Sequence, residues 1–202
     1  MSSHPYPKRI AIMIESHFDD TEPGAFTMFF PANGYDTEFI SNLRGARERV
    51  FKGNDTDQEI CVSKDLDQVN LENYSGLILV GGYAMDMLRY EVHVDEGQPD
   101  EPKATRFMRR AFAADQLLIG TICHSLWLLT PAPDLLRGRE VTCSHNIMHD
   151  VRNAGAVLIY DRKHRSLADT HVDGRLITAR HPYVISEFMN LFLEKLNERA
   201  EK

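Results

Sequence analysis

The chain is poor in cysteine, with only Cys61, Cys123 and Cys143 among 202 residues. Three thiols without a Cys-x-x-Cys pair build neither a full set of disulfides nor a zinc knuckle, so a reducing, cytoplasmic setting is expected. Long apolar runs are also missing. The apolar residues 10–14, after a polar stretch over 1–9, are shorter than the roughly 7 to 15 residues of a signal-peptide core, and nothing approaches the about 20 residues that cross a bilayer, so no membrane partner is expected. Basic charge is in deficit: 23 Lys and Arg face 30 Asp and Glu, a net charge of −7, which repels a polyanion and speaks against nucleic acid as a partner. What is present is an ordinary globular mixture, 43% hydrophobic and 26% charged. The length suits a single domain over 1–202, burying about 70% of its unfolded surface.

The apolar pattern alternates between strand and helix periods. Residues 9–14 form a continuous apolar run, as expected of a strand covered on both faces. The acidic run Phe18-Asp19-Asp20-Thr21-Glu22 follows, then Pro23 at a first helical position, a helix to Pro31 and the stop signal Asn33-Gly34. Further strands are expected over 37–40, 76–80 (ending at Gly81-Gly82), 116–122, 139–143 and 156–160. Helices are expected over 103–114, from 126–129 onward, and over 185–196 as the closing element. Strands alternating with helices predict an α/β fold, a mostly parallel sheet with helices on both faces. Residues 91–102, EVHVDEGQPDEP, break the scheme with two prolines, a glycine and five carboxylates. They read as an acidic loop insertion, either plainly solvated or a lid or subunit contact.

The chemistry concentrates in Gly120-Thr-Ile-Cys-His-Ser-Leu-Trp-Leu-Leu129. Cys123 stands between a buried strand and a helix-like run, where open parallel sheets gather their ligands. A helix N-terminus there lowers a thiol pKa and favours the thiolate. The residues alone leave two readings open, an inert buried cysteine and a nucleophile.

This segment resembles the nucleophile elbow of the ThiJ/PfpI family, in which a strand ends in an Ile-Cys-His type sequence and a helix follows. The resemblance covers nearly the whole chain. Phe18–Glu22 is similar to the acidic motif after the first strand, and Leu79-Val80-Gly81-Gly82-Tyr83-Ala84-Met85-Asp86 to the Gly-Gly segment. Leu136-Arg137-Gly138-Arg139 and Asn153-Ala154-Gly155-Ala156 fall at the family's spacing after the elbow, and 172–180 resembles the terminal hairpin.

The resemblance implies a flavodoxin-like three-layer sandwich and a cysteine enzyme without a cofactor. Cys123 matches the reactive cysteine. Glu22 matches the carboxylate that approaches the sulfur; two anions in contact repel, so Glu22 is expected to be protonated and to serve as proton donor or shuttle. Asp19 is the weaker acidic candidate, and Glu15 a loop-supporting one. His124 matches the histidine after the nucleophile, and Asp86 falls where one branch supplies an acid from a neighbouring subunit, so a homo-oligomer with its site near the interface is expected. The N–H groups of Gly81, Gly82 and His124 are candidates for an oxyanion hole.

The chain departs from the family where Ser125-Leu126 replaces a common Gly-Pro pair, altering the pocket floor and making Ser125 a substrate-contact candidate. His145 and His149, in Cys143-Ser-His-Asn-Ile-Met-His149, have a spacing that suggests metal, but no third ligand stands at a convincing distance. No metal is therefore expected, and His145 is assigned to the pocket lining. Arg180 is placed to hold a substrate carboxylate or to make a surface ion pair. Trp127 and Cys61 read as packing residues. The resemblance implies action on small aldehydes such as methylglyoxal, giving a hydroxy acid in stress defence. The alternatives are a cysteine peptidase or amidase with a Cys123–His124–Asp86 triad, and a redox sensor or chaperone-like protein with an oxidisable cysteine.

Overall fold

Each central strand carries apolar side chains on both faces because helices cover both. The computed structural model describes residues 6–90, 96–97 and 100–200. In chain order the strands are β1 (Arg9–Met13), β2 (Asp36–Ile40), β3 (Arg49–Lys52), β4 (Glu59–Val62), β5 (Gly76–Leu79), β6 (Leu118–Ile122), β7 (Glu140–Val141), β8 (Val157–Leu158), β9 (Tyr160–Asp161), β10 (Ser166–Leu167), β11 (Thr170–Asp173) and β12 (Leu176–Ala179). The α-helices are α1 (Glu22–Ala32), α2 (Ala84–Arg89), α3 (Lys103–Ala113), α4 (Met148–Asn153) and α5 (Ile185–Ala200).

The main sheet runs β11-β12-β6-β5-β1-β2, parallel throughout except for β11, which pairs antiparallel with β12. Its parallel strands follow the flavodoxin order, which reverses direction between β1 and β5. Register then decides what meets. Met13 pairs with Leu79 and Leu79 with Thr121, so two residues further on Gly81 and Cys123 emerge level with each other at the carboxyl edge.

On one face α1 and α5 pack through the rings of Phe26, Phe30, Phe188 and Phe192, with centroids 5.8–6.2 Å apart. Gly120 in β6 makes room for them: a Cβ there would stand 2.7 Å from the Phe188 ring. The other face is covered by α2, α3 and a 3-10 helix over Ser125–Leu129. Thr105 of α3 ties that turn down by donating to the Leu128 carbonyl at 2.9 Å.

Three expectations are corrected. The helix after Cys123 is the short 3-10 turn, not an α-helix: Pro131 and Pro133 supply no N–H for its continuation. The strands expected over 139–143 and 156–160 shrink to β7 and β8, which pair with each other outside the main sheet, and β9 pairs with β10. Cys61 is exposed on the β3–β4 hairpin rather than packed. Of the expected acidic loop, 91–95 and 98–99 lie outside the described residues. Glu96 and Gly97 are exposed, whereas Pro102 is buried and Glu101 pairs with Arg109 at 2.7 Å.

Candidate active site

Cys123 has φ +59°, a left-handed conformation that costs a non-glycine residue about 1–3 kcal/mol. Neighbouring groups hold it there. Its N–H donates to Ala179 O at 2.9 Å and its carbonyl accepts from Ser144 N–H at 3.0 Å. Ser125 closes the turn: its hydroxyl accepts from Ile122 N–H at 2.7 Å and donates to the Ile122 carbonyl. Ser125 is thus fully buried and committed to the backbone, which corrects its expected place in substrate contact.

Glu22 opens α1 and is fully buried. Its Oε2 accepts from Gly81 N–H at 2.6 Å, while Oε1 has no partner among the described residues. A Cβ at Gly81 would lie 2.6 Å from that Oε1 and 2.8 Å from Cys123 Cβ, so the bare glycine is what lets carboxyl and cysteine converge. Burial, together with the charge of Asp19, lifts the Glu22 pKa well above the ordinary 4.5.

The thiol moves opposite to expectation. Burial first, then the Glu22 carboxyl, push the Cys123 pKa up to about 11, against hydrogen bonds to sulfur from the N–H groups of Gly82 and His124 and from the Ser144 hydroxyl. A five-residue 3-10 turn is too short to provide the macrodipole of a long helix. Burial therefore pushes both sulfur and carboxyl toward their protonated forms. Two N–H groups, those of Gly82 and His124, face the sulfur. Gly81 leaves the expected oxyanion set, because Glu22 already takes its N–H. Gly82 adopts φ +67° and lies so close to the His17 carbonyl that a side chain would overlap it.

The ring nitrogens of His124 meet Asn146 and Asp86. Nε2 lies 2.9 Å from Asn146 Oδ1, and the buried Nδ1 faces Asp86 Oδ2 at 3.7 Å without a hydrogen bond. Asp86 belongs to the same chain, on α2, which packs on the elbow turn. This approach lies within one chain. The Ser144 hydroxyl, beside the sulfur, lies 2.6 Å from Asn146 Oδ1 and has one hydrogen to give to either of them. A continuous polar path therefore runs from sulfur through Ser144 and Asn146 to the imidazole. Ser144 and Asn146 escaped the sequence reading; the available signal was a polar Ser-His-Asn run directly after a buried strand at the carboxyl edge.

The remaining candidates lie on the rim. Asp19 accepts from Thr21 N–H at 3.0 Å and caps the approach to α1, and Glu15 is buried against Arg44 at 2.8 Å. His145 and Arg180 line a cleft of about 530 Å3 beside Ser144. Arg180 pairs with Asp169 at 2.6 Å. His149 points to Arg152 on α4, and no three His, Cys, Asp or Glu side chains gather as metal ligands among the described residues. Trp127 is half-buried, with Arg89 4.1 Å above its ring and its N–H on Asp150.

The profile of the DJ-1/PfpI family matches residues 8–195. The chain belongs to the DJ-1/PfpI family. Protein/nucleic acid deglycase 2 of Escherichia coli is 30% identical over 178 residues, 87% of this chain and 90% of that protein. General stress protein 18 of Bacillus subtilis is 28% identical over 183 residues, 90% and 93% of the two chains. A ThiJ/PfpI domain protein from Brachyspira murdochii superposes with a TM-score of 0.77 at 18% identity, covering 96% of this chain and 98% of that one. The flavodoxin-like sheet is thus the DJ-1/PfpI fold, and membership supports an enzymatic role in general terms. No described helix is long and apolar enough to cross a membrane.

Proposed function

We propose that this DJ-1/PfpI protein is a cysteine-dependent enzyme that converts small reactive carbonyls, methylglyoxal foremost, to 2-hydroxy acids without a cofactor. The observation that carries the reading is the fully buried Glu22 carboxyl, its pKa raised and its Oε1 without a partner among the described residues, beside Cys123.

Sulfur adds to the aldehyde carbon; its proton passes to Glu22, and a proton from the carboxyl goes to the aldehyde oxygen, leaving a hemithioacetal. The N–H groups of Gly82 and His124 stand where oxygen charge develops. A proton then leaves the former aldehyde carbon and returns at the neighbouring carbon through an enediol, giving a thioester. Water cleaves that ester, releasing the hydroxy acid and restoring the thiol, so the net change is addition of one water. A thiol that stays protonated until a carbonyl arrives suits this shuttle. Ser144 and Asn146 act as positioning residues that connect the sulfur to His124, with Asp86 placed to receive the hydrogen on Nδ1 once the ring is doubly protonated.

The peptidase reading requires an imidazole nitrogen on the sulfur, whereas Nε2 of His124 is bonded to Asn146 and Nδ1 faces Asp86. The relatives' names, one for deglycation and one for stress, agree with carbonyl defence. The test is lactate formation from methylglyoxal, followed by NMR, with wild type and Cys123→Ala in parallel and a peptide-coumarin amide as the competing substrate. Lactate must appear only with Cys123 present; amide cleavage without lactate would replace this reading with the peptidase one.

A further inference from the structure

The cleft beside the elbow is larger than methylglyoxal requires. At about 530 Å3 it falls in the range of sites for drug-sized ligands, roughly 300–1,000 Å3, of which methylglyoxal fills a small part. Its chemistry is one-sided. Although the chain carries a net charge of −7, no carboxylate among the described residues lines the cleft, whereas Arg165, Arg180, His145 and His181 do. Arg180 is neutralised by Asp169. Arg165 pairs with no carboxylate among the described residues and sits, exposed, at φ +54° in the β9–β10 turn. That turn reads Arg162-Lys163-His164-Arg165, of which Arg165 lines the cleft while His164 pairs with Asp161 at 2.6 Å.

The walls carry exposed aromatic rings. Tyr160 is 54% exposed; Tyr183 is 70% exposed, although His181 stacks on its ring at 3.6 Å and the Arg180 guanidinium stands 5.5 Å from its centroid. Large aromatic surfaces left open around a cleft mark a place where an apolar, planar group is bound. A free guanidinium at the mouth adds a charge-assisted contact for a carboxylate or similar anion. Ser144 connects this space to the sulfur, since it lines the cleft and bonds Cys123.

We propose that the cleft selects carbonyl compounds built on a flat ring that carries an anionic group, with Arg165 holding the anion and Tyr160 and Tyr183 flanking the ring. The assignment deepens the proposed reaction and rests on Cys123 as the place where the carbonyl reacts.

The experiment measures binding rather than turnover, so that the two readings fail separately. Unreactive 4-acetylbenzoate and its neutral counterpart acetophenone are titrated calorimetrically into Cys123→Ser protein at low salt. The carboxylate is expected to bind at least about tenfold more tightly. Adding Arg165→Gln should cut that preference below about threefold, and Arg165→Lys should leave an intermediate value. Lys195→Gln, which removes the same charge from α5, should preserve it. Equal affinity for the two probes, no measurable binding of 4-acetylbenzoate, or a preference that survives Arg165→Gln would overturn the proposal. An intact preference in a protein whose wild type makes no lactate would support the cleft assignment while removing the reaction.

Discussion

The floor of the site and its rim are built on different principles. Cys123, Glu22, Gly81 and Ser125 are set by strand ends in fixed register, are mostly buried, and spend nearly all their polar atoms on one another or on backbone. His145, Arg165, Tyr160 and Tyr183 stand on turns and short two-stranded ladders outside the main sheet and are exposed. The difference teaches that the reacting groups inherit their geometry from the sheet, where a shift breaks many bonds at once. The groups that select a substrate sit where the chain can vary at little cost to the core.

Replacing the sulfur should have the largest effect. Cys123→Ser is expected to lower kcat/KM for methylglyoxal by about 10⁴-fold or more while circular dichroism and melting remain native-like, because the framework around position 123 does not depend on the sulfur. An equally deep loss from a rim substitution would erase the division between floor and rim.

Glu22→Gln comes next, with kcat expected to fall by about 10²- to 10⁴-fold. The same change carries a pH signature. A carboxyl whose pKa is raised in the folded state binds its proton more tightly there than in the unfolded chain. Its contribution to stability is complete below the unfolded value near 4.5 and is lost as pH rises through the folded value. Wild-type melting temperature should therefore decline with pH above 4.5 more steeply than that of Glu22→Gln, as thermal scans across pH would show. Glu22→Gln should also accelerate iodoacetamide labelling of Cys123 at pH 9 by about tenfold, since an ionised Glu22 beside the sulfur opposes the thiolate. Unchanged labelling would mean that burial alone sets the thiol.

Ser125→Ala tests whether the floor is tied together by its backbone bonds. Loss of the hydroxyl leaves Ile122 N–H and carbonyl unpaired in the core, and denaturant titration should register about 1–3 kcal/mol. The smallest effect is expected at the junction between floor and rim. Asn146→Ala should reduce kcat by about tenfold and displace the pH–rate profile, because the imidazole loses its Nε2 partner. A loss of rate with an unshifted profile would reduce Asn146 to a structural role.

The sequence by itself determined the layered α/β frame, the strand that ends at Cys123 and the helix that begins beside Pro23. Each follows from local information: continuous apolar runs, and cap and stop residues. Tertiary structure decided the rest. That Gly81 serves Glu22 rather than an oxyanion depends on register between β1 and β5, and that Ser125 seals the elbow depends on the φ +59° of its neighbour. That Asp86 reaches the imidazole of its own chain depends on how α2 packs on the elbow turn. The thiol pKa moved up rather than down because burial is a property of the whole assembly, and no window of sequence around Cys123 contains the atoms that desolvate it.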